Sequence, residues 1–582
     1  MAVSRGIAIG HVHVVERHRM DVAEIVLDPS EIPAEEQRLH RAIEAAESNL
    51  RSVREEFSRA APNEVLALLD THLMMLNDAT LSDEITTLIR QDHCNAEWAL
   101  ERHRKKILSA FDGIEDAYLE ARRDDVSQVL DRILRNLLQH QPLRHEIPDQ
   151  RLQGTIVLAR ELSPSDLLLL NQQGVHGFIT ESGGPNSHVS IVARSMGIPG
   201  IVGVHHARQY VREDEMLILD GEQGVVIAEA DEGILNEYET RKAAHHTYVA
   251  GLRMLRNTPA ETLDGTPISL RANVELPGDY RAVKEVGADG VGLYRTEFLF
   301  FESGVPPSEQ EHYNAYREMV RALDGAPLTI RTADLGGDKS LPTGSAQATG
   351  EAPNPALGLR GIRFCLRHPA LFDPQLRAII RASAFGPVRL LIPMLSNIEE
   401  IFQVRHAVAS IQKELAALNV AFDPAMQIGA MIEIPAVAIA ADFFLEHLDF
   451  VSIGTNDLIQ YALALDREND DVNYLYDPVN AGVLRLIATV LSAGHRAGVP
   501  VAMCGEMAGD KNLTRLLLGL GLREFSLHPA ALLEVKQVVL KTRLAEVETL
   551  VRELLATHNE TDRRALLRRL TTSPTLASDA KR

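Results

Sequence analysis

The chain has 582 residues, too many for one compact core and enough for about three or four domains. Its 59 Lys and Arg against 81 Asp and Glu leave a net charge of -22, which argues against a general nucleic-acid binder, because phosphate contacts need concentrated basic residues. A small anionic substrate in a local basic pocket, or a basic protein partner, remains compatible with that balance.

The start, MAVSRGIAIGHVHVVERHRM, turns polar too early for a secretory segment, and no apolar run is long enough to span a membrane, so a cytoplasmic protein is expected. Residues 6–15, GIAIGHVHVV, read as a strand with a glycine bend. From about residue 33 to residue 140 the apolar period becomes 3.6. Leu39, Ile43, Leu50, Val53 and Phe57 mark one helix; Val126, Val129, Leu130, Ile133, Leu134, Leu137 and Leu138 mark another, with Asp131, Arg132 and Arg135 opposite. These stripes are read as the core of a helical bundle rather than a cofactor box. From residue 154, GTIVLAR, GVHGFIT, GIVG, MLILD and GVVIAEA are glycine-broken strands alternating with helices, a small α/β unit. Residues 232–256 then read as one long helical connector.

A third regime follows. Strands are expected at ISLRAN (268–273), GVGLY (290–294), LTIRT (328–332), RLLIP (389–393), IGAMI (428–432), FVSI (450–453), VAMC (501–504) and REFSL (523–527), with helical patterns between most of them. Eight parallel-type units suit a closed (β/α)8 TIM-like barrel; an open doubly wound sheet is the competing architecture. No dinucleotide glycine fingerprint follows a first strand.

In a barrel of this kind, chemistry collects at the strand ends. Asn273, Arg295, Glu297, Arg331, Asp334, Glu433, Asn456, Asp457, Cys504 and Glu506 all lie there, with Arg467 a little beyond. Any one of them also has a plain structural reading, since barrel rims are wet and their charges are commonly paired. Together they say more. Glu433 and Asp457 give two hard oxygen ligands suited to Mg²⁺ completed by water and substrate. Arg295, Arg331 and Arg467 offer guanidinium forks for phosphate or carboxylate. That balance is expected for a phosphorylated, carboxylated metabolite with its metal. The three cysteines, Cys94, Cys365 and Cys504, form neither a disulfide framework nor a zinc spacing, which fits a reducing compartment. Cys504 reads either as core or as a positioned proton donor.

The stretch GGPNSHVSIVARSMGIPGIVG sets His188 at the start of a short helix whose buried face is Val189, Val192, Ala193 and Met196. Gly183 and Gly184 allow a tight turn before it, and Ser187 or Asn186 is the expected cap. A helix N-terminus favours a phosphoryl group, and an imidazole is nucleophilic near neutral pH. No second histidine lies at helical spacing, so metal ligation is not expected. One carrier histidine joined by a long helix to a phosphometabolite barrel suggests a relay.

Over nearly its whole length the chain resembles the enzyme I family of the bacterial phosphotransferase system, the phosphoenolpyruvate-protein phosphotransferases. The likeness rests on the His188 stretch and on RTEFLF, RTADLGGDK, NPALGLRGIR, MIEIPA, SIGTNDLIQY and MCGEMAGD, in that order. It implies that His188 is phosphorylated by phosphoenolpyruvate and that Arg295, Arg331, Arg360 and Arg467 form the basic pocket. It implies further that Asn456 contacts substrate, Glu433 and Asp457 bind Mg²⁺, and Cys504 protonates the enolate to give pyruvate. The implied organisation is a swivelling phosphohistidine α/β domain (1–20 and 146–230) with an inserted helical bundle (21–145) that docks the carrier protein HPr. A helical linker (231–258), a substrate-binding barrel that forms the homodimer (259–570) and a frayed tail (571–582) complete it.

Among the departures from the family's usual GGRTSHT, Pro185 stands where Arg is usual and Val189 where the final Thr is usual. Val189 cannot donate a hydroxyl hydrogen bond beside the imidazole, so a retained but slowed phosphorylation is expected. Pyruvate phosphate dikinase and phosphoenolpyruvate synthase resemble the same carrier domain and barrel but add an ATP-grasp domain, for which residues 1–150 show no nucleotide-gripping segment. The nitrogen-type enzyme I adds a GAF domain, for which there is no room, though a regulatory output stays open. A non-catalytic scaffold would have lost a member of the donor site, and none is missing.

Overall fold

Seven short apolar runs of the N-terminal half become strands: β1 (Ala2–Ser4), β2 (Ile7–Val15), β3 (Ile156–Ala159), β4 (Gly177–Thr180), β5 (Gly200–Ile201), β6 (Met216–Asp220) and β7 (Val225–Ala228). In the computed structural model they form one sheet ordered β1-β5-β4-β3-β2-β6-β7. β2, β3, β4 and β5 run parallel, while β1, β6 and β7 are antiparallel to their neighbours. Residues 1–15, 22–57, 63–110, 117–138, 152–184, 187–275, 277–301, 306–336, 354–467, 469 and 472–571 are described by the structure. Contacts divide the chain into two units, Met1–Tyr248 and Val249–Arg582.

β3 and β4 are buried at every position, as strands covered on both faces must be. Their side chains alternate. Val157, Ala159 and Phe178 share a core with Leu39, Leu69, Ile85, Leu100 and Ile133 of the helices α1 (Ile32–Phe57), α2 (Asn63–Leu76), α3 (Ala79–Asp92), α4 (Ala96–Ala110) and α5 (Ala117–Leu137). Ile156, Leu158 and Ile179 pack on the other face with Ala8, Leu217 and Leu219. The helical bundle is thus inserted between β2 and β3 and packs on one side of the sheet. Each fully buried Leu or Ile in that core contributes about 1.5–3 kcal/mol.

Two helices follow β3 and β4. α6 (Pro164–Gln172) starts with a capping box between Ser163 and Asp166 and has Pro164 in its first turn, where a missing N–H costs nothing. α7 (His188–Met196) is capped by Ser187 and ends at Gly197 with φ 66°. After a short helix, α8 (Ala207–Tyr210), and the last two strands comes α9 (Glu232–Met254), mostly exposed, with Tyr238 and Leu252 buried. No helix among the described residues is long and apolar enough to cross a membrane.

The second unit is a closed barrel of eight parallel strands: β8 (Ser269–Val274), β9 (Val291–Tyr294), β10 (Leu328–Arg331), β11 (Val388–Ile392), β12 (Gln427–Ile432), β13 (Phe450–Ile453), β14 (Val501–Met503) and β15 (Glu524–Leu527), with β15 closing onto β8. The closure removes the open sheet from consideration. Alternation along each strand sorts the side chains. Leu270, Ala272, Val388, Leu390, Ile428 and Ala430 meet the surrounding helices. Leu293, Leu391, Met431, Phe450 and Cys504 make a separate cluster inside the barrel. Beneath it, Glu524 sits 2.6 Å from Arg271 and 3.4 Å from Arg389, whose guanidinium lies 5.2 Å from the Phe450 ring centre. Apolar packing with a buried ion pair fills the barrel from below, which leaves its C-terminal mouth for chemistry.

Candidate functional site

β10 delivers Arg331 to the mouth as its last residue. Arg331 Nη2 donates to Glu297 Oε1 at 2.9 Å, and Nη1 stands 3.8 Å from Asp334 Oδ2. Arg360 grips Asp334 through two hydrogen bonds of 2.9 and 3.1 Å and reaches Asp457 at 3.3 and 3.4 Å. The Asp334 N–H donates to Glu297 Oε1 at 2.7 Å. The result is a buried chain of alternating charge, Glu297–Arg331–Asp334–Arg360–Asp457. Burial works against the charge of both arginines. Glu297, Asp334 and Glu433 outweigh it at Arg331, and Asp334, Asp457 and Glu433 outweigh it at Arg360, so both pKa values lie above the ordinary arginine value.

Glu433 follows β12 and is 1 % exposed. Its carboxyl is pushed up to about 8, first by burial and then by the negative charges of Asp457 and Asp334, which Arg331 and the Met394 N–H only partly offset. Oε1 accepts that N–H at 2.5 Å, and a Cβ on Gly454 would come within 2.8 Å of Oε2. Glycine therefore keeps one side of the carboxylate open. Among the described residues no group of three or more His, Cys, Asp or Glu forms a ready-made metal cage. Glu433 and Asp457 still fit Mg²⁺. They are hard oxygen donors whose burial and crowding hold a proton on Glu433 in the metal-free protein, and Mg²⁺ ordinarily keeps several waters beside one or two carboxylates.

Cys504 follows β14 and is 3 % exposed. Burial pushes its thiol up to about 11, with Glu433 adding to the rise, while nearby Ser452 and the charges of Arg331 and Arg295 pull the other way; Sγ donates to Ile453 O at 3.7 Å. Its backbone is held on both sides: the N–H donates to Ile453 O at 3.1 Å, and Asn273 Nδ2 donates to its carbonyl at 3.1 Å. Ser526 Oγ in turn donates to Asn273 Oδ1 at 2.6 Å.

The other expected residues stand around this cluster. Asn456 and Glu506 hold each other reciprocally, side-chain N–H to carboxylate at 3.0 Å and backbone N–H to side-chain oxygen at 2.9 Å. Arg295 is 39 % exposed and pairs with Glu275 at 2.5 Å rather than joining the buried chain. Arg467 lies half-buried on a turn where its N–H donates to the Gln460 side chain at 3.1 Å, and its charge acts on Tyr476. The structure thus brings Arg331, Arg360, Glu433, Asp457 and Cys504 together and leaves Arg295 and Arg467 at the rim. GDK of the RTADLGGDK motif lies outside the described residues, as do Pro185, Asn186 and residues 572–582.

In the first unit, α7 begins at His188. The Ser187 side chain accepts from Ser190 N, and Ser190 Oγ donates to Gly184 O at 2.8 Å. Gly183 has φ 101°, a conformation that glycine adopts freely. Val189 is buried against the shared core of sheet and bundle.

Met394 escaped the sequence reasoning. It is buried at φ 55°, left-handed backbone that is strained for a non-glycine residue, and it donates the N–H that Glu433 accepts. A Cβ on Gly361, beside Arg360, would stand only 2.7 Å from the Met394 Cβ. Nothing in the residue type Met signals such a conformation. The ion pairing of Arg360 with Asp457 was equally invisible, since it joins two strand–helix units distant in sequence.

Residues 249–544 match the family described as PEP-utilising enzyme, PEP-binding domain. Residues 1–122 match PEP-utilising enzyme, N-terminal, and residues 152–224 match PEP-utilising enzyme, mobile domain. A phosphoenolpyruvate-protein phosphotransferase of Cupriavidus necator is 45 % identical over 98 % of this chain and 98 % of its own. One of Listeria innocua is 36 % identical over 95 % of this chain and 96 % of its own. A solution structure of an enzyme I protein (nEIt) is 28 % identical, covers 42 % of this chain and 98 % of its own, and has a TM-score of 0.37. The identity to curated relatives along nearly the full length of both chains assigns this chain to the phosphoenolpyruvate-protein phosphotransferase family.

Proposed function

We propose that the chain transfers the phosphoryl group of phosphoenolpyruvate to its own His188, releases pyruvate, and passes the group to a histidine of the carrier protein HPr. The observation that carries this reading is the barrel mouth itself, where two buried arginines, a crowded pair of carboxylates and a protonated thiol meet. Full-length relationship to phosphoenolpyruvate-protein phosphotransferases supports it.

In the first half-reaction Arg331 and Arg360 take up the substrate's phosphate and carboxylate, with Arg295 and Arg467 closing from the rim and Asn456 beside them. Glu433 and Asp457 would hold Mg²⁺, which would supply positive charge to offset that of the transferring phosphoryl group and the enolate. A ring nitrogen of His188 attacks phosphorus in line. The bond from phosphorus to the enol oxygen breaks, and its electron pair stays with the enolate. A thiol with its pKa pushed up to about 11 is protonated at neutral pH, so Cys504 has a proton to give. That proton goes to the methylene carbon, which becomes the methyl of pyruvate, and the thiolate recovers a proton from solvent. Ketone formation draws the step forward. In the second half-reaction HPr docks on the bundle α1–α5 and accepts the group. One imidazole cannot serve both partners in one pose, so a swivel about α9 belongs to the reading. A barrel-mediated homodimer also belongs to it, supported by exposed Phe402, Ile439 and Phe443. A reducing cytoplasm suits three free, buried cysteines.

The test is transfer of labelled phosphate from phosphoenolpyruvate, with Mg²⁺, to the purified chain and to His188→Ala. Acid-labile, alkali-stable label on the unsubstituted chain alone is the expected result, and HPr should discharge it. Equal label on both, or none on a folded chain, overturns the reading.

A further inference from the structure

One polar side chain behind the barrel mouth is built into both loops that carry the proposed substrate arginines. Gln375 lies on the helix Pro369–Ala382, where Phe372, Leu376, Ala378, Ile379 and Ile380 are its buried companions, and it is itself 1 % exposed. A carboxamide in such surroundings is unfavourable unless its hydrogen bonds are made. Here three are. Oε1 accepts from Ala333 N at 3.0 Å, and Nε2 donates to Thr296 Oγ1 at 2.9 Å and to the Tyr316 hydroxyl at 3.2 Å.

The partners fix which way the amide faces. The Ala333 N–H can only donate, so the oxygen of Gln375 must meet it. The Arg331 carbonyl can only accept, and Thr296 Oγ1 donates to it at 2.9 Å; that hydroxyl is left to accept from Gln375. Thr296 stands between Arg295 and Glu297 after β9, and Ala333 stands between Arg331 and Asp334 after β10. A single buried amide therefore ties the two strand ends together at points one or two residues from Arg295, Glu297, Arg331 and Asp334. Behind it, the Tyr316 hydroxyl lies 3.0 Å from His312 Nδ1, both residues fully buried, so the tie is anchored in the barrel wall.

We propose that Gln375 is a positioning residue for phosphoenolpyruvate, setting the spacing of the Arg295 and Arg331 loops through Thr296 and Ala333 without touching the substrate. This rests on the barrel mouth being the phosphoenolpyruvate site. Misplacing a binding group by an ångström costs on the order of 100-fold. Gln375→Met keeps the volume and deletes all three bonds. It is expected to lower kcat/KM for phosphoenolpyruvate by about 10- to 100-fold, mainly by raising KM. Leu376→Ala, on the same helix but without a bond to either loop, is the control: it should lose thermal stability and keep the unsubstituted KM. Thr296→Val should raise KM as Gln375→Met does, and the double variant should add little further, because both remove one connection.

Where Gln375→Met does not fold, Gln375→Leu takes its place. It can make none of the three bonds, so the same rise in KM is expected. A folded Gln375 variant with unaltered KM and kcat overturns the inference, as does an equal rise in KM from Leu376→Ala. An unsubstituted chain that cannot use phosphoenolpyruvate overturns instead the reading of the site.

Discussion

Arg360 and Asp457 meet across the barrel mouth, Nη1 to Oδ1 at 3.3 Å and Nη2 to Oδ2 at 3.4 Å, although they belong to different strand–helix units. In the proposed reaction both need other partners, Asp457 the cation and Arg360 the substrate's anion. Loading the site is then an exchange: the pair opens, and each charge turns to a ligand of opposite sign. Asp457→Asn leaves Arg360 bonded to Asp334 but removes one of two carboxylate donors. We expect the Mg²⁺ needed for half-maximal phosphorylation to rise at least about tenfold, in the range lost when groups at a metal site are changed. Initial rates against Mg²⁺ concentration measure it, and an unchanged half-saturation point would remove Asp457 from the metal site.

In the proposed reading, Glu433 makes cation binding depend on pH. Its folded-state value is raised from 4.5 to about 8, so between those limits the folded, metal-free protein holds a proton that the unfolded chain has lost. Its contribution to stability is fully present below about 4.5 and is lost as pH rises through about 8. Mg²⁺ needs the ionised carboxylate, so its apparent affinity should climb by up to about tenfold per pH unit toward 8 and then level off. Thermal unfolding with and without Mg²⁺ at pH 6 and pH 8.5 reads both effects. A larger stabilisation by Mg²⁺ at the lower pH is the outcome that contradicts this.

The Cys504 thiol offers a separate handle. Cys504→Ala deletes a proton donor while removing a single atom from the barrel interior. General acid catalysis is ordinarily worth about 10²–10⁴-fold, and kcat should fall within that range with KM little changed. Because the thiol stays protonated up to about 11, no loss of activity traceable to Cys504 is expected between neutral pH and pH 9. Pyruvate release by Cys504→Ala at the unsubstituted rate would return Cys504 to the core.

Val189→Thr tests the departure beside His188. Val189 is buried in the core shared by sheet and bundle, so an added hydroxyl costs about 1–3 kcal/mol if it finds no partner. Against that, a donor next to the imidazole should quicken phosphorylation by phosphoenolpyruvate. A lower unfolding temperature with a faster rate is the expected pairing. Equal rates before and after the substitution would show that the hydroxyl has no part in the chemistry.

Much of this architecture is legible in the residues. Several barrel strands are short aliphatic runs closed by a polar residue, and Leu328–Arg331 followed by Asp334 is such a case: the run fixes the strand, and its end fixes the rim. His188 is equally readable, because Ser187 before it and Gly197 after it bound a helix by local chemistry. Pairing across the fold is not local and does not show in this way. β1, three residues long, finds its antiparallel place beside β5 only in the assembled sheet. Gln375 occupies an ordinary amphipathic helix, and only the two loops folded against it reveal that its amide is bonded on every side. Met394 adopts left-handed backbone that its side chain does not favour, and in that conformation it donates its N–H to Glu433.

The insertion of the bundle between β2 and β3 bears on how the first unit assembles. Val12 lies opposite Ile156, yet the whole of α1–α5 separates them along the chain. Joining such distant strands from a disordered coil costs about 2 kcal/mol more in loop-closure entropy than joining them through a short crossover, and contacts of long sequence separation form slowly. Contacts between helices adjacent in sequence, such as α3 and α4, do not share that handicap. A bundle that folds first brings its own two ends together and delivers β2 and β3 as neighbours. The proposed docking module would then also be the folding template of the sheet that carries His188.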